Sequence, residues 1–217
     1  MKKHLKRQKV PKSWPIPRKG TKYVVRPNFG LNKGVPLLIA LRDMLKICKN
    51  RKEIKKAIYE KKIRVNNKVS KDEKDAIQLF DRINLADSKK YYKLNLSEKS
   101  KFFLEEIDEK KGEQKVAKII NKKILKGKRT QLNLSDGRNF ISSIKCRVND
   151  SVLIDLKNRT IKKSLPLEKN AKIIVVAGKH AGKRGTLIGL KVERKMAELK
   201  IGDKKMNILI KHIMVTE

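Results

Sequence analysis

Residues 50–69, NRKEIKKAIYEKKIRVNNKV, hold a capped helix and a hairpin in one short run. Asn50 followed by Glu53 is a capping-box pattern, which marks a helix start. Ile54, Ala57 and Ile58 form that helix's apolar stripe. Its other face carries Arg51, Lys52, Lys55, Lys56 and Lys62, several of them in one i, i+4 row. Ile63-Arg64-Val65, Asn66-Asn67 and Lys68-Val69 then read as strand, tight turn, strand, because Asn tolerates the positive φ such a turn needs. Upstream, Leu37, Leu41, Met44, Leu45 and Cys48 recur at helical spacing behind Pro36, which suits a first turn. Ile77, Leu79, Ile83 and Leu85 add strand positions. Residues 36–86 are therefore expected to be a small module of two helices and a hairpin.

A second informative stretch is residues 171–188, AKIIVVAGKHAGKRGTLI. It reads as strand, glycine-rich basic loop, strand. A phosphate-binding P-loop needs four residues between its glycine and the Gly-Lys-Ser/Thr. Here three separate Gly178 from Gly182, and Arg184 stands after Lys183 where a magnesium-binding hydroxyl belongs. No helix pattern follows, and no βαβ unit supports a dinucleotide fingerprint. Nucleotide hydrolysis is thus excluded. Met196 to Ile201 and Met206 to Ile210, joined at Gly202-Asp203, are two more strands, so residues 170–217 suit a small five-stranded barrel.

Between the two modules, residues 87–169 alternate with period two in several places. Tyr92 to Leu96, Val116 to Leu125, Thr130 to Leu134, Val152 to Leu156 and Thr160 to Ser164 are expected strands. Asp136-Gly137 and Lys157-Asn158 are turns between them. Residues 97–114 are charged and fit a helix, a loop or a strand at Phe102-Phe103. The whole is expected to be a small antiparallel β-domain. Of Tyr91 and Tyr92, alternation sends one to the core; either suits base stacking. Glu105-Glu106 and Asp108-Glu109 read as a solvated acidic patch, or as a surface for a basic neighbour.

The chain of 217 residues has 58 Lys plus Arg against 22 Asp plus Glu, a net charge of +36. Such a field destabilises a compact chain by self-repulsion and calls for a polyanionic partner. The bias is strongest in residues 1–35, with no acid before Asp43. That arm carries Lys2, Lys3, His4, Lys6, Arg7, Lys12, Arg18, Lys19 and Arg26, while Pro11, Pro15, Pro17 and Pro27 break regular structure. It reads as a segment that orders along phosphates, or as a solvated tail. Trp14 is either an anchor against a base or a neighbouring module, or a packing residue. The longest apolar runs, Pro36 to Leu41 and Ile173 to Ala177, are far shorter than the ~20 residues of a membrane span. No apolar segment follows the basic start, so a secretory signal is not expected. Cys48 and Cys146 form no paired motif, which suits an intracellular chain without disulfides. With His4, His180 and His212 they never reach zinc-ligand spacing. His180 has no nucleophile or orienting carboxylate at motif spacing and reads as an RNA contact or loop residue; His212 and Cys146 read as structural.

Gly178-x-x-x-Gly182-x-x-Gly185 between β-branched strands resembles the KOW module, a short barrel that presents its loop to RNA or protein. The resemblance implies phosphate contacts by Lys179, Lys183 and Arg184, beside which His180 reads as an RNA contact. The segment 50–69 resembles the S-four RNA-binding domain, with Asn67 standing where that family commonly has glycine. The resemblance implies an RNA face built from Arg51, Lys52, Lys55, Lys56, Lys62, Arg64 and Lys68, with Arg51, Lys55 and Lys56 as the helix footprint. Lys2-Lys3-His4-Leu5-Lys6-Arg7 followed by Pro11-Lys12-Ser13-Trp14 is similar to the N-terminal signature of the ribosomal S-four-e family of archaea and eukaryotes. Val148 to Val152 and Ile154-Asp155-Leu156 resemble that family's central domain. The order of parts agrees over nearly the whole chain.

The expectation is an α+β, mostly β chain: an extended basic arm, an αα-plus-hairpin RNA-binding domain, a central antiparallel β-domain and a KOW-type barrel. The resemblance implies a structural constituent of the small ribosomal subunit, cytoplasmic within the ribosome. Its partners would be small-subunit rRNA and neighbouring ribosomal proteins, with no membrane, no homo-oligomer, no cofactor, no metal and no catalytic residue. The start at Lys-Lys-His-Leu and the lack of a basic extension after the barrel suggest a compact archaeal member. The alternatives are an rRNA-modifying enzyme or an assembly factor that carries an S-four-type domain, and a transcription or translation factor built on the KOW barrel. The central segment is short for a catalytic domain and has no glycine-rich cofactor loop.

Overall fold

The structure is a computed structural model that describes residues 4–191 and 193–216; of Lys110, Lys111 and Lys128 only the backbone is described. The chain is mostly antiparallel β and divides into two compact units, residues 1–113 and residues 114–217.

The first unit begins with β1 (Leu5–Lys6), which pairs with β2 (Tyr23–Val24). Leu5 and Trp14 are buried, at 4% and 2% exposure. The Ser13 carbonyl accepts from the Phe102 N–H at 2.9 Å. The described part of the arm is therefore folded onto its own unit. This corrects the expectation of an extended segment awaiting RNA, because two large apolar side chains gain more by burial than a solvated thread would. Trp14 is a packing residue.

Next come β3 (Gly34–Pro36) and α1 (Leu37–Ile39), which widens into a π-helical turn at Ala40–Met44. Pro36 precedes the helix as its N-cap instead of standing in its first turn. All of Leu37 to Leu41 is buried, so this helix is apolar on every side rather than striped. α2 (Arg51–Tyr59) starts at the expected capping box, where the Glu53 carboxylate accepts from the N–H groups of Lys49 at 2.8 Å and Asn50 at 3.4 Å. Ile54 is buried, whereas Ala57 and Ile58 are half-buried.

β4 (Ile63–Val65) and β5 (Lys68–Val69) form the expected hairpin. Asn66 and Asn67 both have positive φ, 49° and 62°, as a two-residue primed turn requires. The Asn66 amide donates to Asp81 at 2.7 Å and its carbonyl accepts from the Arg82 N–H, so this turn is tied down by side-chain bonds. β6 (Ala76–Gln78) pairs with β3; a Cβ on Gly34 would strike the Ile77 carbonyl. β7 (Arg82–Leu85), β8 (Lys90–Leu96) and β9 (Phe102–Ile107) complete a sheet of order β5-β4-β7-β8-β9, followed by the short α3 (Glu109–Gly112). This sheet runs across residue 86, so β8 and β9 join the hairpin's sheet rather than a separate central domain. Tyr92 is buried, and Tyr91 is half-buried with its hydroxyl on Glu109 at 3.0 Å.

The second unit starts with β10 (Gln114–Ile124), β11 (Thr130–Leu134), β12 (Asn139–Ile141), β13 (Ser151–Asp155) and β14 (Thr160–Leu165), in the order β12-β11-β10-β13-β14. Its core holds Ile119, Leu132, Leu134, Val152 and Ile154. β15 (Lys172–Val175), β16 (Arg184–Lys191), β17 (Met196–Ile201), β18 (Lys204–Leu209) and β19 (Ile213–Val215) make a five-stranded sheet of order β18-β17-β16-β15-β19 around Ile173, Leu187 and Leu199. Its two ends are edge strands, so it is a half-barrel.

Candidate nucleic-acid interface

The basic face of α2 keeps Lys52, Lys55 and Lys56 exposed. Lys56 stands 3.9 Å from Glu60, a loose pair across one helical turn. Arg64 and Lys68, on paired strands of the hairpin, are exposed as well. Tyr59, at the end of α2, is 88% exposed. Sequence reading passed over it, yet it lies seven residues from Lys52 and off the Ile54–Ile58 stripe, which puts a stacking ring beside the lysines.

Two residues assigned to this face are engaged by the protein itself. The Arg51 guanidinium grips the Glu73 carboxylate, which is 3% exposed; its Nε stands 2.7 Å from Oε1. That hydrogen bond raises the Arg51 pKa further. Arg51 is therefore an internal clamp between the start of α2 and the loop before β6, which corrects its place in the helix footprint. Lys62 lies 2.9 Å from both Glu60 and Asp87, and its hydrogen bonds to them raise its pKa. Its charge is already matched. The pairings with Glu73 and Asp87 were not legible, because both carboxylates are distant in sequence; Glu60, two residues before Lys62, was the local signal.

In the arm, Lys2 and Lys3 lie outside the described residues. Lys6, Lys12, Arg18 and Lys19 are exposed and Arg26 is half-buried. The His4 ring meets the Tyr23 ring edge-on at 5.5 Å. Arg7 donates to the Pro17 carbonyl at 2.9 Å, the Thr21 carbonyl at 2.7 Å and the Thr21 hydroxyl at 2.8 Å. It acts as the latch of its own loop. Trp14, buried as described, is withdrawn from the RNA-facing set.

The glycine loop joins β15 to β16. Gly178 and Gly182 have φ of +92° and +91°, the left-handed region that glycine enters freely. A Cβ on Gly185 would collide with the Lys200 carbonyl, so that glycine lets β16 lie against β17. Lys179 and Arg184 are exposed; His180 and Lys183 are half-buried. His212 backs the loop, with its carbonyl accepting from the Val176 N–H at 2.7 Å. Burial, then Lys211 and Lys118, push the His212 pKa down.

Two buried lysines also went unread. Lys115, 1% exposed, meets Asp136 at 2.6 Å. Its place in step with Ala117 and Ile119 on β10 was the available signal, since alternation puts all three on the core face. Lys118 donates to the Ile213 carbonyl at 2.9 Å and to the Ile210 carbonyl. Burial lowers its pKa to about 8.

Among the described residues, no group of three His, Cys, Asp or Glu side chains could hold a metal. Burial raises the pKa of both Cys48 and Cys146, which keeps the thiols protonated and poor as nucleophiles. No helix of the described residues is long and apolar enough to cross a membrane. What the surface offers is exposed cations on a helix, a hairpin and a loop, an arrangement suited to phosphates.

Comparison with known proteins agrees with this arrangement. Residues 88–161 match the ribosomal family S4e, and residues 1–30 match the RS4NT (NUC023) domain. The chain is 36% identical over 197 residues to the small ribosomal subunit protein eS4 of Methanocella arvoryzae, an alignment covering 89% of this chain and 83% of that protein. It is 35% identical over 195 residues to the protein of the same name from Methanothermobacter thermautotrophicus, covering 88% and 81%. Its structure is similar to the crystal structure of the 30S ribosomal protein S4e from Thermoplasma acidophilum, with a TM-score of 0.72 at 22% identity over 84% of this chain and 94% of that one. At that identity the likeness establishes the fold alone.

Proposed function

The chain belongs to the ribosomal family S4e, and from that premise we propose that it is a structural constituent of the small ribosomal subunit that binds the subunit's rRNA mainly through phosphates. The family is one of ribosomal structural proteins, not of enzymes. The carrying observation is the set of cations left without a buried carboxylate: Lys52, Lys55 and Lys56 on α2, Arg64 and Lys68 on the hairpin, and Lys179, Lys183 and Arg184 around the glycine loop. The first two groups sit on a helix and a hairpin and the third flanks a loop between two paired strands, so the backbone brings each set of cations together before RNA arrives. Neutralising phosphates releases counterions from the RNA, which supplies most of the binding free energy. Double-helical RNA hides its bases in a deep groove, so form is read through phosphates and 2′-hydroxyls. Several weak basic patches on one chain raise one another's effective concentration. The remaining partners are neighbouring ribosomal proteins, and the location is the cytoplasmic ribosome. The S-four-type segment 36–86 and the KOW-type segment 170–217 are the two proposed RNA-facing modules, served by the exposed cations of the arm.

The experiment is a triple change, Lys52→Glu, Lys55→Glu and Lys56→Glu, assayed for incorporation into small subunits. All three side chains are exposed, so the fold survives. Incorporation is expected to fail. Normal incorporation of the folded variant overturns the assignment of α2 as an RNA face. Arg51 is left unchanged, because its loss would strand buried Glu73.

A further inference from the structure

The distal half of the central sheet has two unlike faces. Leu132 and Phe140, in register across β11 and β12, pack into the core. On the opposite face Asn121, Asn133 and Asn139 stand directly across from one another on three adjacent strands. The next row on that face is Lys123, Gln131 and Ile141. Asn121, Asn139 and Lys123 are exposed, Asn133 and Gln131 half-buried, and Ile141 is 60% exposed. The Gln131 side-chain amide donates to Asn133 Oδ1 at 2.8 Å, which holds two of the amides in one orientation. Beside the row β10 bulges between Ile119 and Asn121, and Ile120 there is 53% exposed. Bulges re-aim side chains and gather at functional sites.

Three features make this face more than a solvated surface. Asn is depleted in strands, so three in one cross-strand row cost sheet stability that Thr would not. In a chain with 58 basic residues, the row is amide where lysine is the default. Between Glu113 and Asp150 the sole acid is Asp136, which is buried against Lys115, so the three strands of this face carry no exposed carboxylate. Lys123, Lys126 and Arg129 are exposed around it.

We propose that this amide row is a further RNA-binding face that reads ribose 2′-hydroxyls and base edges in a wide, shallow minor groove. The proposal rests on the rRNA-binding reading above and adds to it contacts that are not phosphates. The Asn121 side-chain carbonyl accepts from the Lys122 N–H at 2.7 Å and that of Asn133 from Gln131, which leaves their NH2 groups to donate to a 2′-hydroxyl oxygen or a base acceptor. Lys123 supplies the charge at the groove's edge, and Ile141 and Ile120 supply apolar area for ribose.

The test uses the full chain and purified small-subunit rRNA, with affinity measured over a range of salt concentrations. The variant is Asn121→Thr, Asn133→Thr and Asn139→Thr together, which favours the strand and removes the amides. The proposal expects a roughly 10- to 100-fold loss of affinity with the salt slope unchanged, because no phosphate contact is removed. Asn139→Thr alone, on the edge strand β12, guards against misfolding and is expected to lose a few-fold, again with no change in slope. Unchanged affinity of the folded triple variant overturns the proposal while leaving the phosphate-binding reading intact. Full rRNA affinity with failed incorporation into particles would give the face to a protein neighbour and overturns it too. A wild-type chain that does not bind rRNA at all refutes both readings together.

Discussion

Lys118 ties strand β10 to the turn before β19 and should make the second unit more stable as the medium becomes alkaline. Its ammonium is buried with two backbone carbonyls, of Ile210 and Ile213, as acceptors. Burial lowers its pKa from the unfolded-chain value of 10.5 to about 8. Below pH 8 both folded and unfolded chains carry the charge, and the fold bears the cost of burying it. Between about 8 and 10.5 the folded lysine has released its proton while the unfolded one keeps it. The unfolded state then binds more protons, so stability rises with pH across that window. The neutral amine still has two N–H groups, one for each carbonyl, so deprotonation removes the charge without breaking the clasp. At about 1.4 kcal/mol per pH unit the gain approaches ~3 kcal/mol by the top of the window. Lys211 and His212 face the same site, and the +36 chain also relaxes as its other lysines titrate. The control is Lys118→Met, which keeps those groups. The assay is hydrogen exchange of β10 and β13 amides in the full chain at pH 7, 8, 9 and 10, corrected for intrinsic exchange. Wild type should gain protection with pH relative to Lys118→Met. Parallel curves for the two proteins would refute the reasoning.

Other consequences follow from the buried groups. Lys115→Met strands Asp136, whose pKa is held down by Lys115 against the desolvation that would raise it, and should cost about 3–5 kcal/mol in denaturant unfolding. Lys115→Met with Asp136→Leu should recover most of that loss; a double variant as unstable as the single contradicts the ion-pair account. Trp14→Ala opens a cavity in the first unit and should cost roughly 3–5 kcal/mol, with faster proteolysis of the arm. Wild-type protease resistance would mean that the arm is not folded onto its unit. Gly185→Ala should destabilise the half-barrel by about 1–3 kcal/mol, read as lost exchange protection in β16 and β17, because its Cβ meets the Lys200 carbonyl.

Much of the local structure was legible because its causes are local. The capping box at Asn50 and Glu53, the Asn66-Asn67 turn and the positive-φ glycines of the loop are each set by a few neighbouring residues. Of the strands from Thr130 onward, Thr130–Leu134 and Met196–Ile201 stand as read and Ser151–Asp155 and Thr160–Leu165 lie within one residue of the reading, whereas Asn139–Ile141 and Ile213–Val215 were not read. What escaped was decided by pairing across long separations. Residue 86 looked like a boundary, but β8 completes the sheet begun by β4 and β7. The arm looked extended because its prolines forbid regular structure, yet Leu5 and Trp14 carry enough apolar surface to hold it down. Among the candidate RNA contacts, composition did not distinguish a surface lysine from one that is paired. Arg51 has the same local pattern as Lys52 and Lys55, and distant Glu73 makes the difference; for Lys62, distant Asp87 adds to the nearby Glu60.

The most direct test of the central claim is sedimentation of the tagged protein, expressed in its own cells, on sucrose gradients in low salt and after a high-salt wash. An integral rRNA-binding constituent should travel with small subunits at one copy per particle in both. Release to the top fractions in high salt, or a trace on immature particles alone, would contradict it.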